Sequence, residues 1–175
     1  EENVLAVVEA AQPSLEYLEF DRIRAGAVSD QRAWDAIYSR STDAARLGFE
    51  RNVLRYLPVP VTIRLAEGEP LAQLIRVIAA ATRAGSPVAV SSAVPLPAGL
   101  IALFGREFSP ATVGSVVVES DVRWQARALQ GDVATDRIRL IGSADAHHAL
   151  AVELQAYPNI AIYGGPVTTS GRLEL

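Results

Sequence analysis

The chain opens with apolar positions at helical spacing. Leu5, Val8 and Ala11, then Leu15, Leu18 and Ile23, recur three to five residues apart, with Pro13 placed to start a second helix. A third helix is expected to begin near Ser29, whose hydroxyl can cap it, and to carry Trp34, Ile37 and Tyr38. The remaining faces of this stretch are polar. Residues 1–50 therefore read as an N-terminal helical segment that covers one side of whatever follows.

From Val59 the pattern changes to short β-rich runs that alternate with helices. The expected strands are Val59–Leu65, Val88–Val94, Ser115–Glu119, Ile138–Ile141 and Ile160–Tyr163. Pro58 and Pro60 restrict the first of them to entering a sheet from a loop or lying at an edge. The expected helices are Leu71–Ala84 stopping at Gly85, Ala98–Phe104, Val122–Leu129 stopping at Gly131, and a helix capped by Ser143 that runs to about Leu154. Five strands separated by four helices imply an α/β, Rossmann-like fold over residues 51–175, with a mostly parallel sheet flanked by helices and right-handed crossovers.

Composition narrows the function classes. Half of the 175 residues are apolar and 6% are aromatic, as suits helices of Ala, Val, Leu and Ile on a buried sheet. The formal charge is −4, and no dense run of basic residues could follow a phosphate backbone, so nucleic acid is not an expected partner. The longest apolar runs fall far short of the roughly 20 residues that span a bilayer, so no membrane span is expected. Cysteine is absent, which removes disulfides, thiolate metal sites and thiol nucleophiles and fits a cytoplasmic protein. Methionine is absent as well, and Glu1 and Glu2 are acidic where a secretory signal would be basic; the expectation is a piece of a longer chain.

In an open parallel sheet ligands bind outside the carboxyl ends of the strands, so those positions carry the candidate chemistry. After the first strand come Ala66, Glu67, Gly68, Glu69 and Pro70, and the two carboxylates would repel the pyrophosphate of a dinucleotide. Ser91 and Ser92, then Glu119, Ser120 and Asp121, then Gly142, Ser143 and Asp145, and finally Gly164 and Gly165 follow the later strands and could together line a pocket. The plainer reading is that Ser and Asp cap helices there while Gly permits the turns. His147 and His148 are neighbours on a helix, pointing about 100° apart, so they cannot share a metal. One of them could act as a general base with Asp145 or Glu153, although a solvated helix surface explains both. Asp132 and Asp136 read as turn residues, and Trp34 and Trp124 as packing anchors. No nucleophile elbow, phosphate-binding loop or zinc-protease helix is present.

Two stretches carry a resemblance. Residues 50–64, ERNVLRYLPVPVTIR, and residues 163–175, YGGPVTTSGRLEL, resemble segments near the C-terminus of bacterial proline utilisation A proteins, which join proline dehydrogenase to 1-pyrroline-5-carboxylate dehydrogenase. The likeness covers about residues 50–175. It implies an aldehyde-dehydrogenase-superfamily Rossmann domain without an active site, inside a parent chain that uses NAD and FAD to oxidise proline to glutamate. Aldehyde oxidation in that superfamily needs a cysteine thiolate, which this chain lacks, so the isolated domain is expected not to be an enzyme. No catalytic, cofactor-binding or metal residue is carried over.

The leading expectation is thus a non-catalytic structural or interaction domain that aids assembly, or closes the passage between active sites, with the rest of the parent chain or a second copy as partner. It predicts an exposed apolar patch and an open sheet edge where Leu173 and Leu175 continue. Val53, Tyr56 and Leu57 make the approach to the first strand unusually apolar, to be either docked on a neighbour or buried beneath the N-terminal helices. The alternative is a small-molecule or nucleotide-binding regulatory domain. An independent enzyme using His147, Asp121 and Glu119 ranks last.

Overall fold

The structure is a computed structural model that describes residues 2–43, 45–104, 113–133 and 135–175. Helix α1 (Glu2–Ala11) buries Val4, Val7, Val8 and Ala11, a single stripe set by their three- and four-residue spacing. Pro13 lies in a short 3-10 turn (Gln12–Ser14), and α2 (Tyr17–Ala33) begins at Glu16 with a capping box in which Glu19 reaches back to the Glu16 N–H at 3.0 Å. The third helix expected at Ser29 does not exist as a separate element. Helix α2 runs through Ser29 and continues into a π-turn at Trp34–Tyr38, because no breaker intervenes and the Ser29 hydroxyl accepts the distant Gly171 N–H at 3.0 Å instead of capping.

A two-residue antiparallel ladder, β1 (Thr42–Asp43) with β2 (Val53–Leu54), precedes the main sheet. That sheet consists of β3 (Val61–Leu65), β4 (Val88–Ser92), β5 (Val113–Val118), β6 (Arg137–Ile141) and β7 (Ala161–Tyr163), all parallel, in the order β5-β4-β3-β6-β7. The expected α/β class and parallel sheet are therefore observed. Of the two positions that Pro58 and Pro60 allowed, the strand takes the first: β3 is central, and its first ladder bond, from Val61 N–H to Pro87 O at 2.9 Å, falls just beyond Pro60.

Helices α3 (Leu71–Ala84) and α4 (Ala98–Phe104) join β3 to β4 and β4 to β5, moving outward in one direction. The chain then returns through α5 (Asp121–Leu129) to β6 on the far side of β3, and α6 (Ala144–Glu153) leads on to β7. Strand order thus reverses between β3 and β6. Alternation along β3 sends Ile63 and Leu65 to a large core with α1, α2, α3 and α4, while Thr62 and Arg64 face the opposite side. There a smaller core of Trp124, Ala128, Leu150 and Leu154 packs on Ile138 and Leu140.

Two expectations are corrected by packing. Leu173 and Leu175 do not extend the sheet edge: residues Gly171–Glu174 form a short helix, α7, folded onto α2. The contact requires glycine, since a Cβ on Gly171 would lie 2.5 Å from both the Asp30 Cα and the Ser29 carbonyl oxygen. Beneath it Arg76 grips Asp30 with two hydrogen bonds of 2.7 Å and donates from Nε to Thr168 O at 3.0 Å, tying α2, α3 and the C-terminal segment together. The second correction concerns the approach to β3, which is not buried beneath the N-terminal helices. Phe49 is 90% exposed, Leu54 61% and Leu57 63%, and the ring of Tyr56 meets Tyr38 edge-on at 4.9 Å. This apolar arm carries too few inward-facing side chains to join the core.

Candidate functional site

The carboxyl ends of β3, β4 and β5 converge on a cluster of charged side chains. Arg64 stands in the middle strand on the face of the smaller core and is wholly buried. Its Nη1 donates to Ser91 Oγ at 2.8 Å and to the Glu119 carbonyl at 3.1 Å, and its Nη2 to Asp121 Oδ1 at 2.6 Å. Glu119, 6% exposed, accepts from Ser91 Oγ at 2.7 Å and takes both Nε and Nη2 of Arg127, at 3.1 and 2.7 Å. Two guanidinium groups therefore face two carboxylates. The Trp124 ring lies 5.7 Å from the Arg64 guanidinium carbon and 5.5 Å from that of Arg127, adding a cation–π contact to each.

The loop after β3 closes this cluster from outside. Glu67 N–H donates to both Asp121 oxygens at 3.2 Å, and Asp121 N–H donates to Glu67 Oε1 at 3.1 Å. Gly68 makes the turn possible with φ of +81°. Hydrogen bonds from Arg127 hold the Glu119 carboxyl below the usual carboxylate range, against burial, which pushes the other way; Ser91 and the charge of Arg64 assist. Arg127 is in turn raised by its bonds to Glu119. The site is an internally neutralised salt-bridge network rather than a cradle of free N–H groups.

Among the residues expected to line a pocket, Ser91, Glu119 and Asp121 are brought together, and Glu67, expected only to repel a dinucleotide, joins them. Ser120 and Ser143 cap α5 and α6, accepting from the N–H groups of Arg123 and Ala146. Ser92 turns back on the Val94 backbone, and Glu69 only reaches Gln73 at 3.5 Å. Gly142 stands beside Ala66, Gly165 O accepts from Arg139, and Gly164 leaves the space that the ring of half-buried His147 occupies. His148 and Asp145 are exposed. Among the described residues no hydrogen bond joins His147 to Asp121, Glu119, Asp145 or Glu153, and no three metal-ligating side chains gather. Asp132 serves the turn before β6 through its carbonyl, which accepts from Arg127 at 2.6 Å, and the Asp136 carbonyl accepts from Ala161 N–H at 2.8 Å. Trp124 is buried as a packing anchor, whereas Trp34 is half-exposed beneath the Arg83 guanidinium.

The residues missed by sequence reasoning are Arg64, Arg127 and Gln125, while Glu153, considered there only as a partner for a histidine base, lies here instead. The available signal was a single cation, Arg64, in the otherwise uncharged run 59–65. Beside the network, between α5 and α6, lies a cavity of about 110 Å³ whose lining includes Arg64, Asp121, Trp124, Gln125, Leu140 and Glu153. Gln125 donates to Glu153 Oε1, while Glu153 Oε2 and Arg64 Nε are buried without a hydrogen-bond partner among the described residues.

Fold and site define a doubly wound α/β protein with a charge network at the carboxyl ends of β3, β4 and β5, beside the strand where the order reverses. Comparison with protein-family models, with curated proteins and with solved structures yields no match. Among the described residues, no helix is long and apolar enough to cross a membrane.

Proposed function

We propose that the chain is a non-catalytic structural and interaction domain of a bifunctional, cytoplasmic proline-catabolic enzyme, aiding its assembly or closing the passage between its active sites. The observation that carries this reading is the apolar arm: Leu47, Phe49, Val53, Leu54, Tyr56, Leu57 and Val59 are all exposed within thirteen consecutive residues. Side chains of this kind gain by leaving water only when another surface covers them. The arm overlaps one of the two stretches that resemble proline utilisation A, and the missing cysteine and the inward-turned charges at the strand ends agree with an absent dehydrogenase site. NAD and FAD belong, on this reading, to the parent chain.

The test adds the purified chain to a proline dehydrogenase/1-pyrroline-5-carboxylate dehydrogenase stripped of its corresponding C-terminal region. Binding, with recovery of coupled turnover, is expected from the native chain and not from the Phe49→Asp/Leu57→Asp variant. NAD reduction by the chain alone, or no binding by the native chain, overturns the proposal. The second reading, a small-molecule-binding regulatory domain, is favoured by Arg64 and Glu153, which line one cavity and each carry a buried polar atom with no partner among the described residues.

A further inference from the structure

We propose that the cavity between α5 and α6 binds a small uncharged molecule with one hydrogen-bond acceptor and one donor on a short apolar stem, of which a primary carboxamide is the simplest. The proposal stands independently of the assembly role. Its basis is the juxtaposition of two buried, partnerless polar atoms of opposite character, Arg64 Nε and Glu153 Oε2, on residues that line the same space. Buried polar atoms are nearly always satisfied, so one unmet donor and one unmet acceptor define what an occupant must supply.

Charge restricts the class further. The Arg64 guanidinium is already neutralised by Asp121 at 2.6 Å, and the Glu153 carboxylate adds a second negative charge to the lining, with Gln125 as its one side-chain partner among the described residues. One cation against two carboxylates disfavours an anion, which excludes a carboxylate of the same shape. The rest of the wall is apolar, with Leu140, Leu150, Trp124 and Ala146. A water needs two to four polar partners and occupies about 30 Å³, so the two unmet atoms can hold one water while the remainder of the 110 Å³ faces hydrocarbon. An apolar stem fills that remainder. The volume is somewhat below the roughly 150 Å³ cavity that admits benzene, so the part of an occupant that it holds amounts to about four or five non-hydrogen atoms. The position agrees with the fold, because the cavity adjoins the carboxyl ends of β3 and β6, where strand order reverses.

The experiment is a titration of the intact chain with propionamide, followed by the NMR signals of the Trp124 indole N–H and the Gln125 side-chain amide. Saturable shifts are expected, with a dissociation constant in the millimolar range appropriate to so small a ligand. Propionate should bind at least tenfold more weakly. Glu153→Leu, which removes the unmet acceptor at a partly exposed position, should weaken propionamide at least tenfold, and Ala146→Leu should abolish binding by filling the space. Absence of saturable shifts, meaning a cavity that holds water only, overturns the proposal, as does propionate binding equally well or an unchanged affinity in Glu153→Leu. If Ala146→Leu fails to fold, the Glu153→Leu and propionate comparisons decide the matter alone.

Discussion

The Asp30–Arg76 pair offers the most direct test of the packing. Asp30 is 0% and Arg76 3% exposed, and the two are joined by paired 2.7 Å bonds. Arg76→Met keeps most of the stem but leaves a carboxylate in the core without its bonded cation, the charge of Arg83 being a lesser influence. Breaking a buried pair in this one-sided way costs about 3–5 kcal/mol at neutral pH. At about 2–4 °C per kcal/mol for a domain of this size, Tm should fall by roughly 6–20 °C. Burial already raises the Asp30 pKa above its usual 3.8, against the opposing bonds and charge of Arg76. A carboxyl with a raised folded-state pKa gives its full contribution below the unfolded pKa and loses it as pH rises through the folded value. Removing Arg76 raises that folded value further. The stability gap between native and Arg76→Met should therefore be wide at pH 7.5 and narrow at pH 5, as urea unfolding at the two pH values would measure. The double variant Asp30→Leu/Arg76→Met should recover most of the loss, because no lone charge remains. A single-variant loss below about 1 kcal/mol, or a gap independent of pH, would refute the reasoning.

Other perturbations probe the remaining features. Glu119→Gln should cost about 1.5–3 kcal/mol at pH 7, read from denaturant midpoints, by weakening two charge-assisted bonds from Arg127. Since the Glu119 pKa is lowered, its contribution is present above the unfolded carboxyl pKa and disappears as pH falls through the folded one, so the variant should have a flatter acid limb. Gly171→Ala should drive α7 from α2 through its backbone clash at 2.5 Å, costing about 1–3 kcal/mol and removing hydrogen-exchange protection at Leu173 and Glu174. Leu57→Asp should leave the chain's own stability within about 0.5 kcal/mol while abolishing its association with the parent enzyme, measured by sedimentation.

What was legible in the chain was whatever local spacing encodes. The stripe of Leu74, Ile75 and Ile78 with Gly85 beyond it marked α3, and that glycine indeed adopts φ of +70°. Ser120 stands where a cap is expected after a strand, and it caps α5. Strand order was not legible, because crossovers of similar length serve β4 and β6 alike. Ser29 misled because capping preference is local, whereas its actual partner, Gly171, is 142 residues away. The Leu-x-Leu ending imitated a strand, and only the glycine-sized gap beside Asp30 turns it into a helix. At the site the acidic half was visible at the strand ends. Its cationic half was not, since Arg64 lies within β3, one residue before its end, and Arg127 projects from α5.

The grip of Arg76 on Asp30 and Thr168 bears on how the protein is made. Asp30 leaves the ribosome 46 residues ahead of Arg76, about 2–9 s at 5–20 residues per second. During that interval its carboxylate holds α2 in water, and the Thr168 carbonyl that completes the grip arrives 92 residues after Arg76. α1 and α2 can therefore pack on α3 well before the grip is complete, and only the last stretch of the chain locks them in place.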